Sequence, residues 1–247
     1  GYYFARREWL NANTWFNNRD GVAKARLQQD QRGFRVGGPI MLPGFDGDNK
    51  AFFFFNYEQL RQPNEVTRNN RNVLTPNAQA GNYCYTGGCV NVLSLAAANG
   101  QVASVDPTVG KVLSDIRSAV NGGSLADIDP NVQVFTFNVP VQSKRDYPTF
   151  SIDYNVTQDH RAKFAYNYQK FSDYPDTLNR MENAFPGFPI GAGQTSIRLG
   201  WSGSVRSTLG RNLVNEARLG YSGAPVRFFD EITPDMYSTY QGFEINF

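Results

Sequence analysis

Along Thr195 to Arg206, Ile197, Leu199, Trp201 and Val205 fall on one parity, while Arg198, Ser202, Ser204 and Arg206 fall on the other. A period of two sends successive side chains to opposite sides of an extended chain, so this stretch predicts a strand with one apolar and one polar face. The next stretch repeats the pattern, with Leu213, Ala217, Leu219 and Tyr221 alternating with Glu216, Arg218 and Ser222. Only Leu209 to Asn212 separate the two, which predicts a hairpin. An earlier pair behaves alike. Phe150, Ile152, Tyr154 and Val156 oppose Ser151, Asp153 and Asn155, then Phe164, Tyr166 and Tyr168 oppose Ala165, Asn167 and Gln169, with Gln158 to His160 as the turn. Tyr2 to Arg7, Arg32 to Met41, and Ala51 to Leu60 with an extension towards Val73 are three further predicted strands. An eighth begins at Gly242, where Phe243, Ile245 and Phe247 alternate with Glu244 and Asn246.

The connections between these strands alternate in length. Trp9 to Gln31 is long, Leu42 to Lys50 short, Thr75 to Ser143 very long, Gln158 to His160 short, Ser172 to Gln194 long, Leu209 to Asn212 short and Pro225 to Gln241 long. In an up-and-down meander every second connection lies at the same end, so all tight turns are expected at one end and all long loops at the other. Transmembrane β-barrels have this asymmetry. Connections beyond about 12 to 15 residues are uncommon in compact soluble domains. The expected fold is therefore all-β, an antiparallel up-and-down transmembrane barrel segment of about eight strands. In the longest loop, spanning about 75–143, Asp106 suits an N-cap and Pro107 the first helical position. Val109, Val112, Leu113, Ile116 and Val120 then follow helical spacing before Gly122 and Gly123, predicting a helix over about 107–120.

Composition narrows the reading. Tyr and Phe number 13 and 19, Gly 23, and aromatics make up 14% of the 247 residues, a mix suited to strands, turns and interfacial aromatic girdles. The longest clear apolar run is Ala51 to Phe55, far short of the about 20 residues a spanning helix needs. The mean hydropathy of −0.47 agrees with a barrel, where only alternate residues need to face lipid. With 24 Lys and Arg against 22 Asp and Glu, the net charge of +2 offers no single-sign field for a phosphate backbone, so nucleic acid is not an expected partner. The chain opens at Gly1 with no charged and apolar leader, which is expected either of a processed protein or of a piece of a longer one.

Particular residues then carry a resemblance. Arg35-Val36-Gly37-Gly38-Pro39-Ile40, a turn, and Lys50-Ala51-Phe52-Phe53-Phe54-Phe55-Asn56-Tyr57-Glu58-Gln59-Leu60-Arg61-Gln62 resemble the early barrel of TonB-dependent outer-membrane receptors, in their Oar-like or carboxypeptidase-regulatory-like branch. Val73 to Tyr83 resembles the opening of their long loop, and Ser151 to Arg161, Arg206 to Thr208 and Leu213 to Ser222 continue the match in order. The resemblance implies a barrel of 22 strands around a plug, importing a ligand with energy from the TonB complex. It implies residence in the Gram-negative outer membrane. At about 31 residues per strand such a barrel takes on the order of 680 residues, so this chain is expected to be an early barrel fragment without the plug. Its expected partners are outer-membrane lipid, the remainder of the barrel and plug, the TonB complex through that plug, and a ligand the sequence does not identify.

Single motifs add little chemistry. Cys84 and Cys89 bracket Tyr-Thr-Gly-Gly, a spacing that fits a small disulfide in an oxidising envelope or two separate thiols. His160 lies in a tight turn with no nucleophile assigned to it. Gly200-Trp201-Ser202-Gly203 and Gly220-Tyr221-Ser222-Gly223 lack the last Gly of a nucleophile elbow. Asp46, Asp48 and Asn49 read as a turn rather than a calcium loop, whose distal Glu is missing. No enzyme, cofactor or metal is expected. Asp153, Arg198, Arg206, Glu216 and Arg218 would be costly against lipid and are expected to face the lumen, as part of a solvated wall or as contacts for plug or ligand. Two other architectures fit the pattern: a self-contained eight-stranded barrel acting as adhesin or anchor, which must pair its first strand with its last, and a soluble β-sandwich binding domain whose apolar faces would meet each other.

Overall fold

The computed structural model describes residues 1–230 together with Asp235. One antiparallel sheet takes its principal strands in chain order: β1 Tyr2–Arg7, β2 Gln28–Pro39, β3 Ala51–Leu74, β4 Val132–Asn155, β5 His160–Tyr174, β6 Ala192–Thr208 and β7 Val214–Gly223. A last segment, β8 Val226–Asp230, continues β7 along the same edge of β6. Leu199 faces Gly223 and Ser196 faces Val226, so the register runs unbroken past Ala224 and Pro225. Pro225 has no N–H to donate, yet its carbonyl still accepts from the Ile197 amide at 2.9 Å. The long connection expected from Pro225 is thus corrected: the chain stays extended to Asp230. The strand expected from Gly242 to Phe247 lies outside the described residues.

Since the meander never skips a neighbour, its connections sort by end. Residues 8–27, 75–131 and 175–191 connect strands at one end, and 40–50, 156–159 and 209–213 at the other. The short turns are laced together, with the Asn155 amide donating to the Lys50 carbonyl at 2.7 Å and the Thr208 amide to the Asp159 carbonyl at 2.8 Å. The longest loop is shorter than the expected 75–143, because β4 starts at Val132 and pairs with β3 as far as Leu74. Pro140 interrupts this stretch, although Phe135, Phe137, Val139 and Val141 alternate with Thr136, Asn138, Pro140 and Gln142. Ser124–Asp127 pairs with the free edge of β4 at 133–136, above the last β5 partner Gln142.

The main buried core lies beyond the sheet's short-turn half, in a lobe at the long-loop end. Val73, Phe135, Phe137 and Val139 of the β3–β4 ribbon pack with Ile116, Val120 and Phe185. The helix Pro107–Ala119 supplies Ile116, and the Asp106 carboxylate caps it by accepting from the Thr108 and Val109 amides at 2.8 and 3.2 Å. Phe185, with Phe188 against it, comes from 175–191, so that loop is held to the ribbon by aromatic packing.

Candidate functional site

Residues directly opposite in an antiparallel ladder point to the same side, so the register assigns every strand residue to a face. Phe53 faces Ile152, Ile152 faces Phe164, Phe164 faces Gly203 and Gly203 faces Leu219. The adjacent row on this side is Val36, Phe55, Phe150, Tyr166, Trp201 and Tyr221. Nothing in the described residues covers this aromatic face: Phe34 is 46% exposed, Val205 47% and Leu219 70%. Neighbouring rings contact one another within the face, as Phe164 and Trp201 do at 6.4 Å. An apolar face of this breadth without a second layer is the signature of an interface with another apolar medium.

Towards the long-loop end the same face turns polar abruptly. Arg32 donates to Gln59 Oε1 from Nε and Nη2 at 3.2 and 2.7 Å, and Gln59 donates to Asp146 Oδ1 at 2.7 Å. Tyr57 also donates to Asp146 at 2.8 Å, and Lys144 pairs with it at 3.2 Å. This chain of hydrogen bonds crosses β2, β3 and β4 and closes the aromatic band with a belt of donors and acceptors. Above it, loop 8–27 is tied to the same side through Asn17, which donates to Thr67 Oγ1 at 3.1 Å, and Asn138, which donates to the Ala23 carbonyl at 2.9 Å.

The opposite face is mostly polar. Asp153, Arg198, Arg206, Glu216 and Arg218 all fall on it, but the structure divides them. Four gather near the short turns: Arg206 lies opposite Glu216, Glu216 pairs with Arg218 at 2.6 Å, and Asp153 pairs with Arg161 at 3.0 Å. Arg198 stands apart, opposite Gln169 in the other half of the wall. The face is not uniformly polar, because Phe52 and Phe54 fall on it as the alternate members of the Ala51 to Phe55 run. Ile152 and Ser151 therefore give a test with adjacent residues. Ile152→Arg should cost about 2 to 4 kcal/mol if its face meets lipid and should block folding into vesicles, whereas Ser151→Arg should fold as well as the parent. Equal loss in both, measured by heat-modifiable gel migration, would reverse the assignment of faces.

The lobe holds functional-looking residues that the sequence reading did not single out. Arg68 faces Phe137 and Arg71 faces Phe135, three steps on β3 against two on β4, so a bulge intervenes. In a regular strand positions 68 and 71 point to opposite sides. The bulge turns both arginines to the polar side, where they meet Glu182 of loop 175–191. Arg68 Nε lies 2.7 Å and Arg71 Nη2 3.5 Å from Glu182 Oε1, and the Glu182 side chain is 1% exposed. The arginines also donate to the Thr177 and Ala184 carbonyls at 2.8 and 3.0 Å. Contacts spanning more than a hundred residues carry no local signal.

Cys84 and Cys89 are bonded, joining Asn82–Tyr85 to Gly88–Asn91. Asn131 holds that hairpin to the base of the lobe, accepting from the Cys84 amide and donating to its carbonyl, both at 2.8 Å. His160 begins β5, its amide donating to Thr157 Oγ1 at 3.1 Å in the preceding turn. Asp46 accepts from the Asp48 amide at 3.0 Å, as a turn residue does. Among the described residues no cluster of three or more His, Cys, Asp or Glu side chains forms a metal-binding group.

Compared with known families, the chain matches the model described as "Outer membrane beta barrel domain" over residues 1–246. No curated protein and no solved structure matches it.

Proposed function

The chain belongs to the outer membrane beta barrel domain family and resides in the outer membrane, and from that premise we propose that it forms part of a TonB-dependent receptor importing a ligand through the barrel lumen. The aromatic face meets lipid, the polar face lines the lumen, and the long loops lie outside the cell, following the usual sidedness of such barrels. The observation that carries the reading is the position of the lobe. Phe135, Phe137 and Val139 lie on the upward continuation of the polar face, so the helix and loop 175–191 pack over the lumen side of the wall. A folded body at the mouth suits a receptor that captures its ligand before passage. Among the described residues β1 pairs only with β2 and β7 only with β6, so both edges await further strands. Those strands, a plug within them and the TonB complex below are the partners this reading requires, with outer-membrane lipid around the wall.

Accumulation by intact cells tests the proposal. A solute taken up by cells carrying the full-length protein should be lost on deletion of the gene and on collapse of the inner-membrane proton gradient. Uptake that persists without the gradient would point to a passive channel instead. One observation favours a second reading, attachment: Trp9, Leu10, Trp15 and Phe16 are all more than 60% exposed in loop 8–27, with Arg19 against the rings of Trp15 and Phe16. Loss of surface binding on deletion, with all solute uptake intact, would support the adhesin.

A further inference from the structure

We propose that Arg145, Phe171 and Arg198 form a site on the polar face for the carboxylate or phosphate group of a small solute. Arg145 of β4 lies directly opposite Phe171 of β5, and Arg198 approaches from β6. Their guanidinium carbons are 5.3 and 5.0 Å from the centre of the Phe171 ring. Tyr147 meets that ring edge-on at 5.9 Å, which holds its orientation. The ring attracts each guanidinium, but it carries no charge to offset their mutual repulsion.

On this wall Arg161 pairs with Asp153 and Arg218 with Glu216, Arg35 donates to Asn56 Oδ1 at 3.3 Å, and Arg206 stands opposite Glu216. Neither Arg145 nor Arg198 has an ion pair among the described residues, and Asp173, the next carboxylate on this face of β5, lies opposite Ser143 instead. A second, independent observation marks the same spot. Arg145 Nε and Ser143 Oγ are buried without a hydrogen-bond partner, and both project from β4 on the polar face two residues apart. Buried donors are nearly always satisfied, and removing them from water without an acceptor is unfavourable. An oxyanion set against Phe171 would accept from the two guanidinium groups and offset both charges. Arginine's planar fork favours carboxylate and phosphate over a spherical halide.

This inference rests on the polar face being the lumen wall of an uptake barrel, and the experiment separates the two. The full-length protein, purified from outer membranes in detergent, is titrated calorimetrically with citrate and with inorganic phosphate. At least one of these should bind, more weakly as sodium chloride is raised. Arg145→Gln and Arg198→Gln should each weaken binding tenfold or more, while Ser204→Ala on the same face leaves it unchanged. Heat-modifiable migration checks that each variant is folded. A folded parent that binds neither anion, or folded glutamine variants that bind like the parent, would overturn the site. If the anion binds as expected but cells accumulate it regardless of the proton gradient, the site stands and the energised-import reading falls.

Discussion

Phe135→Ala should destabilise the outer lobe by about 3 to 5 kcal/mol and leave the wall beneath it inserted. Phe135 is fully buried, stacks on Phe137 at 5.0 Å and lies 6.1 Å from Phe185. Truncation removes the ring and leaves a cavity bounded by the ribbon, the helix Pro107–Ala119 and loop 175–191. None of these can collapse freely, since β3 and β4 are held by their ladder and the helix by Ile116, which is buried in the same cluster. The loss should stay local because the aromatic band has no share in this core. Hydrogen exchange should show faster opening of the helix and of 175–191, with β5 and β6 protected as in the parent. Failure of the whole chain to insert would mean that lobe and wall fold as one unit, contrary to this account.

Glu182→Ala should cost a similar amount, about 3 to 5 kcal/mol, by a different route. It strands two arginine charges against a surface arranged for a carboxylate, with Arg68 still held to the Thr177 carbonyl and Arg71 to the Ala184 carbonyl. Limited proteolysis of outer membranes should then cleave within 175–191 at protease levels that leave the parent intact. A control distinguishes stranded charge from lost packing. Combining Glu182→Met with Arg68→Met and Arg71→Met removes all three charges at comparable volume, and should recover most of the stability lost in Glu182→Ala. Because the three residues form one network, the single effects will not add, and the coupling must be read from the full cycle of variants.

The uneven legibility of this fold has physical causes. Strict alternation is a local property, so β5, β6 and β7 were readable to within a few residues, and the expected lumen residues emerged on one face because a period of two leaves no other choice. Pairing of β2 with β3, β4 with β5 and β6 with β7 followed from turns too short to reach another strand, whereas the pairings across the three long loops did not. Two strand boundaries were missed, both beside a proline. Pro140 lies within the outer half of β4 and Pro225 between β7 and β8, and each removes only one donor from a ladder that continues past it.

What the sequence alone determined here is the two-faced wall: alternation sets which residues can meet lipid and which meet water, and loop length sets which end carries the elaboration. What only the tertiary structure decided is where the outer lobe lies and what holds it. The bulge that turns Arg68 and Arg71 to one side depends on β4 being the partner. Glu182 reaches them only because Phe185 and Phe188 dock the loop, and Arg145 and Arg198 share a ring only through the register of β4, β5 and β6. Face is written in the spacing of neighbours along the chain. Juxtaposition is not, because it depends on register between strands whose residues lie far apart in sequence.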